Sequence, residues 1–234
     1  MRPIAILLIV LGLAAGASAI EPEPIRIVAY GDSNTAGFGV SDADSYPRQL
    51  EQALQARGYR VEVRNAGVSG DTTGRALRRF DEAFPEGTHI AIVFLGRNDM
   101  RFGVPRAQTE QNLHEIVGRL RARGIEVILA GFYTRNFISV AQAHGAVYYP
   151  DFFEGVAVQG VKQSRYTLFW DIIGHLNGQG YREIVTRITP LVEAQVLMLF
   201  CMRLAEAVMF APQCQTFDAW AGITNVATGS IPRR

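Results

Sequence analysis

The chain predicts an α/β fold in which a parallel sheet carries helices on both faces. Three features lead there. Compact apolar runs recur along the chain, segments with helical spacing alternate with them, and polar residues and turn glycines collect directly after the runs. Runs that are apolar throughout, rather than at every second position, belong to strands buried on both faces, as in parallel sheets.

The elements follow in order. Residues 25–30 are the first strand. Residues 46–57 have helical spacing and stop at Gly58, a residue that ends helices readily. Residues 61–64 are a short strand, and residues 72–84 a helix that ends at Pro85, which cannot continue it. Residues 90–95 are a strongly apolar strand followed by Gly96. A long amphipathic helix covers residues 107–123 and closes at Gly124, and strand 125–130 comes next. Residues 136–144 form a short helix and residues 146–149 the last of five strands. The final helix covers residues 179–194 and accommodates Pro190 with a kink. No repeat, low-complexity tract or linker divides residues 25–195, which form one domain of ordinary size.

The 234 residues are 48% apolar and 19% charged, which excludes a disordered chain. Twenty-three Lys+Arg stand against 22 Asp+Glu, for a formal charge of +1 and no footprint for nucleic acid. Residues 1–19 read as a secretory signal peptide. Arg2 supplies a basic start, residues 4–16 are an uncharged apolar run, and Ala17-Ser18-Ala19 matches a small-x-small cleavage site. Export then places the protein in the periplasm or outside the cell. Cys201 and Cys214 are able to pair in such an oxidising compartment, whereas two thiols with no nearby histidine do not make a zinc site. Residues 196–234 extend beyond the domain. Residues 196–202 are apolar but too short for a membrane span, and the charges of Arg203 and Glu206 interrupt the apolar character beyond them. An amphipathic helix lying on the core is the expectation, and a contact surface for a second subunit or for lipid is the alternative.

In parallel sheets, ligands sit beyond the carboxyl ends of the strands. Gly31-Asp32-Ser33-Asn34 follows the first strand, and the stretch from Asn65 to Asp71 follows the second. Gly96-Arg97-Asn98-Asp99 follows the third, and Asp171, His175 and Asn177 precede the last helix. A hydrolytic site needs a nucleophile, a base, an acid to orient it and donors for an oxyanion. Ser33 is placed to be the nucleophile, with Gly31 allowing a tight turn; the other reading makes it the cap of a helix. His89 and His144 precede strands and so lie at the far end of the sheet, while His114 lies within a helix among charged neighbours and is expected to be solvated. That leaves His175 as the candidate base.

Taken together these motifs resemble the GDSL, or SGNH, hydrolase family, and within it the periplasmic lysophospholipase, thioesterase and arylesterase branch. The resemblance covers about residues 25 to 195 and rests on Ser33, Gly70, Asn98 and His175 in their motifs. It implies a three-layer α/β/α sandwich around a flavodoxin-like five-stranded sheet. It also implies that Ser33 attacks a carbonyl, His175 takes its proton and Asp171 orients the imidazole. The backbone N–H groups of Ser33 and Gly70, with the Asn98 amide, would form the oxyanion hole. The implied substrate is a small acyl ester or thioester, and no metal or cofactor is implied.

Four positions depart from the family pattern. Asn34 stands where the family name has Leu, and Arg97 stands where a small residue is usual. The segment between Phe132 and Tyr148 is shorter than in the thioesterase branch. The acid usually lies three residues before the histidine, which here is Ile172, whereas Asp171 lies four before. On a helical turn, positions four apart share a face, so Asp171 is the expected partner. Two other functions fit the same residues: a carbohydrate acetylesterase, and a catalytically impaired protein that binds acyl or sugar ligands on this fold.

Overall fold

The computed structural model describes residues 23–207, except residues 134, 159, 160 and 173. The signal-peptide reading and Cys214 therefore lie outside the described residues, and so does the end of the C-terminal extension.

Five parallel strands form the sheet: β1 (Ile25–Gly31), β2 (Val61–Gly67), β3 (Ile90–Phe94), β4 (Glu126–Ala130) and β5 (Val147–Tyr149). Their order is β2-β1-β3-β4-β5, the flavodoxin-like arrangement. β3 is buried at every position, as its unbroken apolar run requires. β2 lies at the edge, so Val61 and Val63 face the core while Glu62 and Arg64 face solvent.

Between the strands run α1 (Ser33–Ala36), α2 (Tyr46–Gln55), α3 (Thr73–Arg78), α4 (Phe80–Ala83), α5 (Arg97–Arg101), α6 (Arg106–Ala122) and α7 (Ile138–Ala143). α6 buries Leu113, Ile116, Val117 and Leu120, the three-and-four spacing of one helix face. After β5 come a small antiparallel hairpin, β6 (Ala157–Val158) with β7 (Val161–Lys162), and a 3-10 turn over Ser164–Tyr166. α8 (Gly178–Ala207) closes the described chain.

Several elements differ from the expectation. β2 runs on to Gly67, so part of its polar motif is strand. Gly31 ends β1 for reasons of packing: a Cβ there would lie 2.6 Å from the Phe94 carbonyl oxygen and 2.1 Å from Thr35 Oγ1. The helix expected over residues 72–84 is broken at Arg79 into α3 and α4. At the break the Arg79 guanidinium points inward and donates from Nε to Asp71 at 2.7 Å, from Nη1 to the Ala66 carbonyl at 2.9 Å and from Nη2 to the Gly31 carbonyl at 3.2 Å. It also lies 4.5 Å over the Tyr30 ring. His114, expected to be solvated, instead pairs through Nδ1 with His144 Nε2 at 3.1 Å.

α8 also outruns its expected end at residue 194, continuing through Pro190 and beyond to Ala207. The boundary drawn at residue 195 falls inside it. Tyr181, Ile184, Ile188, Val192 and Val196 are buried at helical spacing, which extends the core-facing stripe past residue 194. Near its far end Arg203 donates to the Glu23 carbonyl at 2.9 Å and pairs with His89 Nε2. The run at residues 196–202 is thus not a separate segment. By length and composition the stretch Gly178–Arg203 is long and apolar enough to cross a membrane, with 39% of its most apolar window buried in the domain.

Candidate active site

Ser33 follows β1 by two residues. Asp32 is the N-cap of α1, accepting from Asn34 N at 2.9 Å and from Asn34 Nδ2 at 3.0 Å. Ser33 is therefore the first helical residue, and its hydroxyl is not used for capping. It lies 2.8 Å from His175 Nε2. The backbone N–H of Ser33 takes no acceptor among the described residues. Burial pushes the Asp32 carboxyl up, against the two bonds from Asn34 that lower it.

His175 is buried and sits in a closed loop. Thr167 and Leu176 form an antiparallel bridge at its base, and Leu168 N donates to the His175 carbonyl at 2.9 Å. Asp171 lies on this loop. Its carboxylate accepts from the His175 backbone N–H at 2.6 Å and also contacts Nδ1 of the same ring. The four-residue spacing is thus accommodated, though not by a helical turn. Gly174 adopts φ of 71°, a left-handed conformation that favours glycine, and its N–H donates to the Asp171 carbonyl at 2.9 Å. The residue at the usual three-residue spacing, Ile172, is fully exposed. Phe38 packs against the imidazole with ring centroids 4.7 Å apart, and Trp170 lies 6.0 Å from Phe38. Phe169, Trp170 and Ile172 leave apolar surface exposed on this loop.

Asn98 lies in α5, beyond β3, and donates from Nδ2 to the Asp71 carbonyl at 2.8 Å. That ties it to the residue after Gly70. Gly70 has φ of 80° and nothing within 4 Å of where a Cβ would stand, so the space over its backbone is open. Among the described residues, one amide proton of Asn98 and the N–H of Gly70 have no acceptor. Asp99 braces the same corner, accepting from Thr73 N at 2.9 Å and from the Thr73 hydroxyl. The structure thus brings Ser33, His175 and Asp171 together and fastens Asn98 beside Gly70.

Sequence reasoning missed Arg79 and Lys162. Arg79 ties the carboxyl ends of β1 and β2 to Asp71 and so supports the Gly70 turn. Arg79→Met leaves the buried Asp71 carboxylate without its close partner, because Arg75 stands 3.7 Å away and half exposed. Such a loss costs about 3–5 kcal/mol. It should appear as a lower urea midpoint with an unchanged slope. Lys162 donates from Nζ to the Gly174 carbonyl at 2.6 Å, immediately before His175. A salient signal was available for it, since it is the single lysine among 23 basic residues.

The chain is similar to several known proteins. Esterase TesA of Pseudomonas aeruginosa is 31% identical over 153 residues, 59% of this chain and 76% of that protein. Thioesterase 1/protease 1/lysophospholipase L1 of Escherichia coli K12 is 33% identical over 100 residues, 42% of this chain and 47% of that protein. The crystal structure of AlinE4, an esterase of the SGNH-hydrolase family, superposes with a TM-score of 0.59 at 33% identity, covering 74% of this chain and 97% of that one. The model of the GDSL-like lipase/acylhydrolase family matches residues 29–183, a span that takes in every residue of the Ser33–His175 corner, and the chain belongs to that family of ester hydrolases.

Proposed function

We propose that this protein is an exported serine esterase that cleaves small acyl esters or thioesters, lysophospholipids among them. The observation that carries the reading is the hydrogen-bonded run from Ser33 Oγ to His175 Nε2 and from Nδ1 to Asp171. Export is inferred from residues 1–19. Thioesters and lysophospholipids enter because the Escherichia coli relative is named for them. The apolar surface of Phe38 and Trp170 beside the imidazole favours an acyl group over a polar one.

In this reading the Ser33 hydroxyl gives its proton to His175 Nε2 as Oγ attacks the acyl carbon. The negative charge that develops on the carbonyl oxygen is met by the N–H groups of Ser33 and Gly70 and by the free amide proton of Asn98. His175 then gives its proton to the departing alcohol or thiol, leaving an acyl group on Ser33. Water attacks that acyl group with His175 as base, the acid departs, and the hydroxyl is restored. Asp171 stays ionised throughout, holding the Nδ1–H tautomer and stabilising the imidazolium.

The test is turnover of p-nitrophenyl acetate and butyrate by the purified protein, with stoichiometric labelling by a serine-directed organophosphonate. No turnover and no labelling would favour the catalytically impaired ligand-binding alternative. Asn98→Ala is expected to lower kcat by about 10²-fold with a smaller change in KM, because the lost donor acts mainly on the oxyanion. Equal turnover in variant and wild type would give Asn98 a purely structural part.

A further inference from the structure

Arg97 and Lys162 approach the site from the side of β4 and β5. Arg97 is the residue before Asn98, and Lys162 holds the carbonyl before His175. Both stand over one ring: the Arg97 guanidinium carbon is 4.7 Å, and Lys162 Nζ 4.4 Å, from the Phe153 centroid. Arg97 also lies 5.9 Å from the Phe132 centroid. The two rings are buried, so the cations sit on an apolar floor.

Their charges lack close compensation. Among the described residues neither cation has a carboxylate within 4.0 Å, and Arg97 makes no hydrogen bond there. The carboxyls nearby have other partners, and Asp32 and Asp151 attract Arg97 without pairing with it. Asp171 is taken up by His175. Burial pushes both Asp32 and Asp151 up, and they accept from Asn34 and from Phe153 N. Burial first, and then the Arg97 charge, pushes the Lys162 ammonium down to about 7, against the pull of Asp32 and Asp171. Two half-buried cations against one aromatic ring repel, and an anion close to both relieves that repulsion.

We infer that Arg97 and Lys162 form a subsite for an anionic group, a carboxylate or a phosphate, carried by the substrate near its scissile ester bond. The inference rests on the esterase reading and narrows its substrate class. A guanidinium offers a paired fork to such a group, and the ammonium adds a point charge. The anionic group belongs either to the acyl portion or to the departing alcohol.

Two matched pairs of esters separate these sources. Mono-p-nitrophenyl succinate against p-nitrophenyl butyrate places the carboxylate on the acyl side. 3-Acetoxybenzoate against its methyl ester places it on the alcohol side. In one of the two pairs the wild type should favour the anionic member in kcat/KM by about tenfold or more, the size of a charge-assisted bond. Arg97→Gln and Lys162→Gln should each reduce that ratio severalfold, and Arg97→Lys should keep more of it than Arg97→Gln. A ratio near one in both pairs would overturn the inference while leaving the esterase reading intact. So would a preference that neither substitution alters. A readout free of turnover separates the two claims: Ser33→Ala should bind the favoured anionic ester by calorimetry about tenfold tighter than its neutral mate, and Ser33→Ala/Arg97→Gln should lose that difference. Binding with this preference in a protein whose wild type turns over no ester would support the subsite and remove the esterase reading.

Discussion

Ser33→Ala is expected to lower ester turnover by about 10⁴–10⁶-fold while the fold survives. The expected loss is large because Ser33 Oγ is the hydroxyl hydrogen-bonded to His175 Nε2, 2.8 Å away. The fold should survive because Asp32, not Ser33, caps α1, and no strand contact depends on the hydroxyl. Removing it exposes one imidazole nitrogen at the mouth of the site and leaves the sheet, α1 and the 171–175 turn intact. The decisive measurement is intact-protein mass after exposure to an organophosphonate. The wild type should gain one adduct and the variant none. Equal labelling would place the reactive hydroxyl elsewhere.

Asp171→Asn should be the next most damaging change, with turnover falling by about 10²–10⁴-fold. The carboxylate does two things in this structure. It accepts the backbone N–H of His175, and it contacts Nδ1 of the ring. An amide is able to keep the first role by its oxygen, but it neither stabilises the imidazolium nor fixes the tautomer. Binding of a substrate analogue to the variant should therefore remain close to that of the wild type. A fall of less than about fivefold would take Asp171 out of the mechanism and leave Ser33 and His175 to work as a pair. The geometry also decides a companion experiment. Asp171→Ala combined with Ile172→Asp restores the three-residue spacing usual in the family, yet it should not recover activity. Ile172 projects fully into solvent, and the Gly174 turn is closed around Asp171. Recovery to near wild-type turnover would show that the turn rearranges freely.

The family assignment was within reach of the chain itself because its signals are local. Apart from β2, which alternates, the strands are mainly apolar runs bounded by glycine or polar residues, and three of the four site motifs follow a strand while the fourth precedes the last helix. Strand position and site position are therefore read together, and Ser33, Gly70, Asn98 and His175 stand out in order. The two short helices α1 and α5 are not legible because four or five residues carry no measurable periodicity. The hairpin of β6 and β7 is hidden for the same reason, with two residues in each strand.

Other features depend on partners far away in the chain. Helical spacing over residues 72–84 is genuine, yet the helix breaks at Arg79, because its guanidinium reaches backbone carbonyls of β1 and β2 that no local window contains. His114 reads as a solvated helix residue until α7 brings His144 to it. α8 reads as ending near residue 194, but a core-facing stripe and an Arg203 bond to Glu23 carry it on to residue 207. What the amino-acid sequence by itself determined was the order of elements, the parallel sheet and the residue types gathered at its carboxyl edge, since periodicity and turn chemistry act over a few residues. Only the tertiary structure decided that Asp171 reaches His175 through the Gly174 turn, and that Arg97 and Lys162 both pack against the Phe153 ring. Those contacts join residues whose separation along the chain says nothing of their distance in space, and hydrogen bonds and charge interactions act only over that distance.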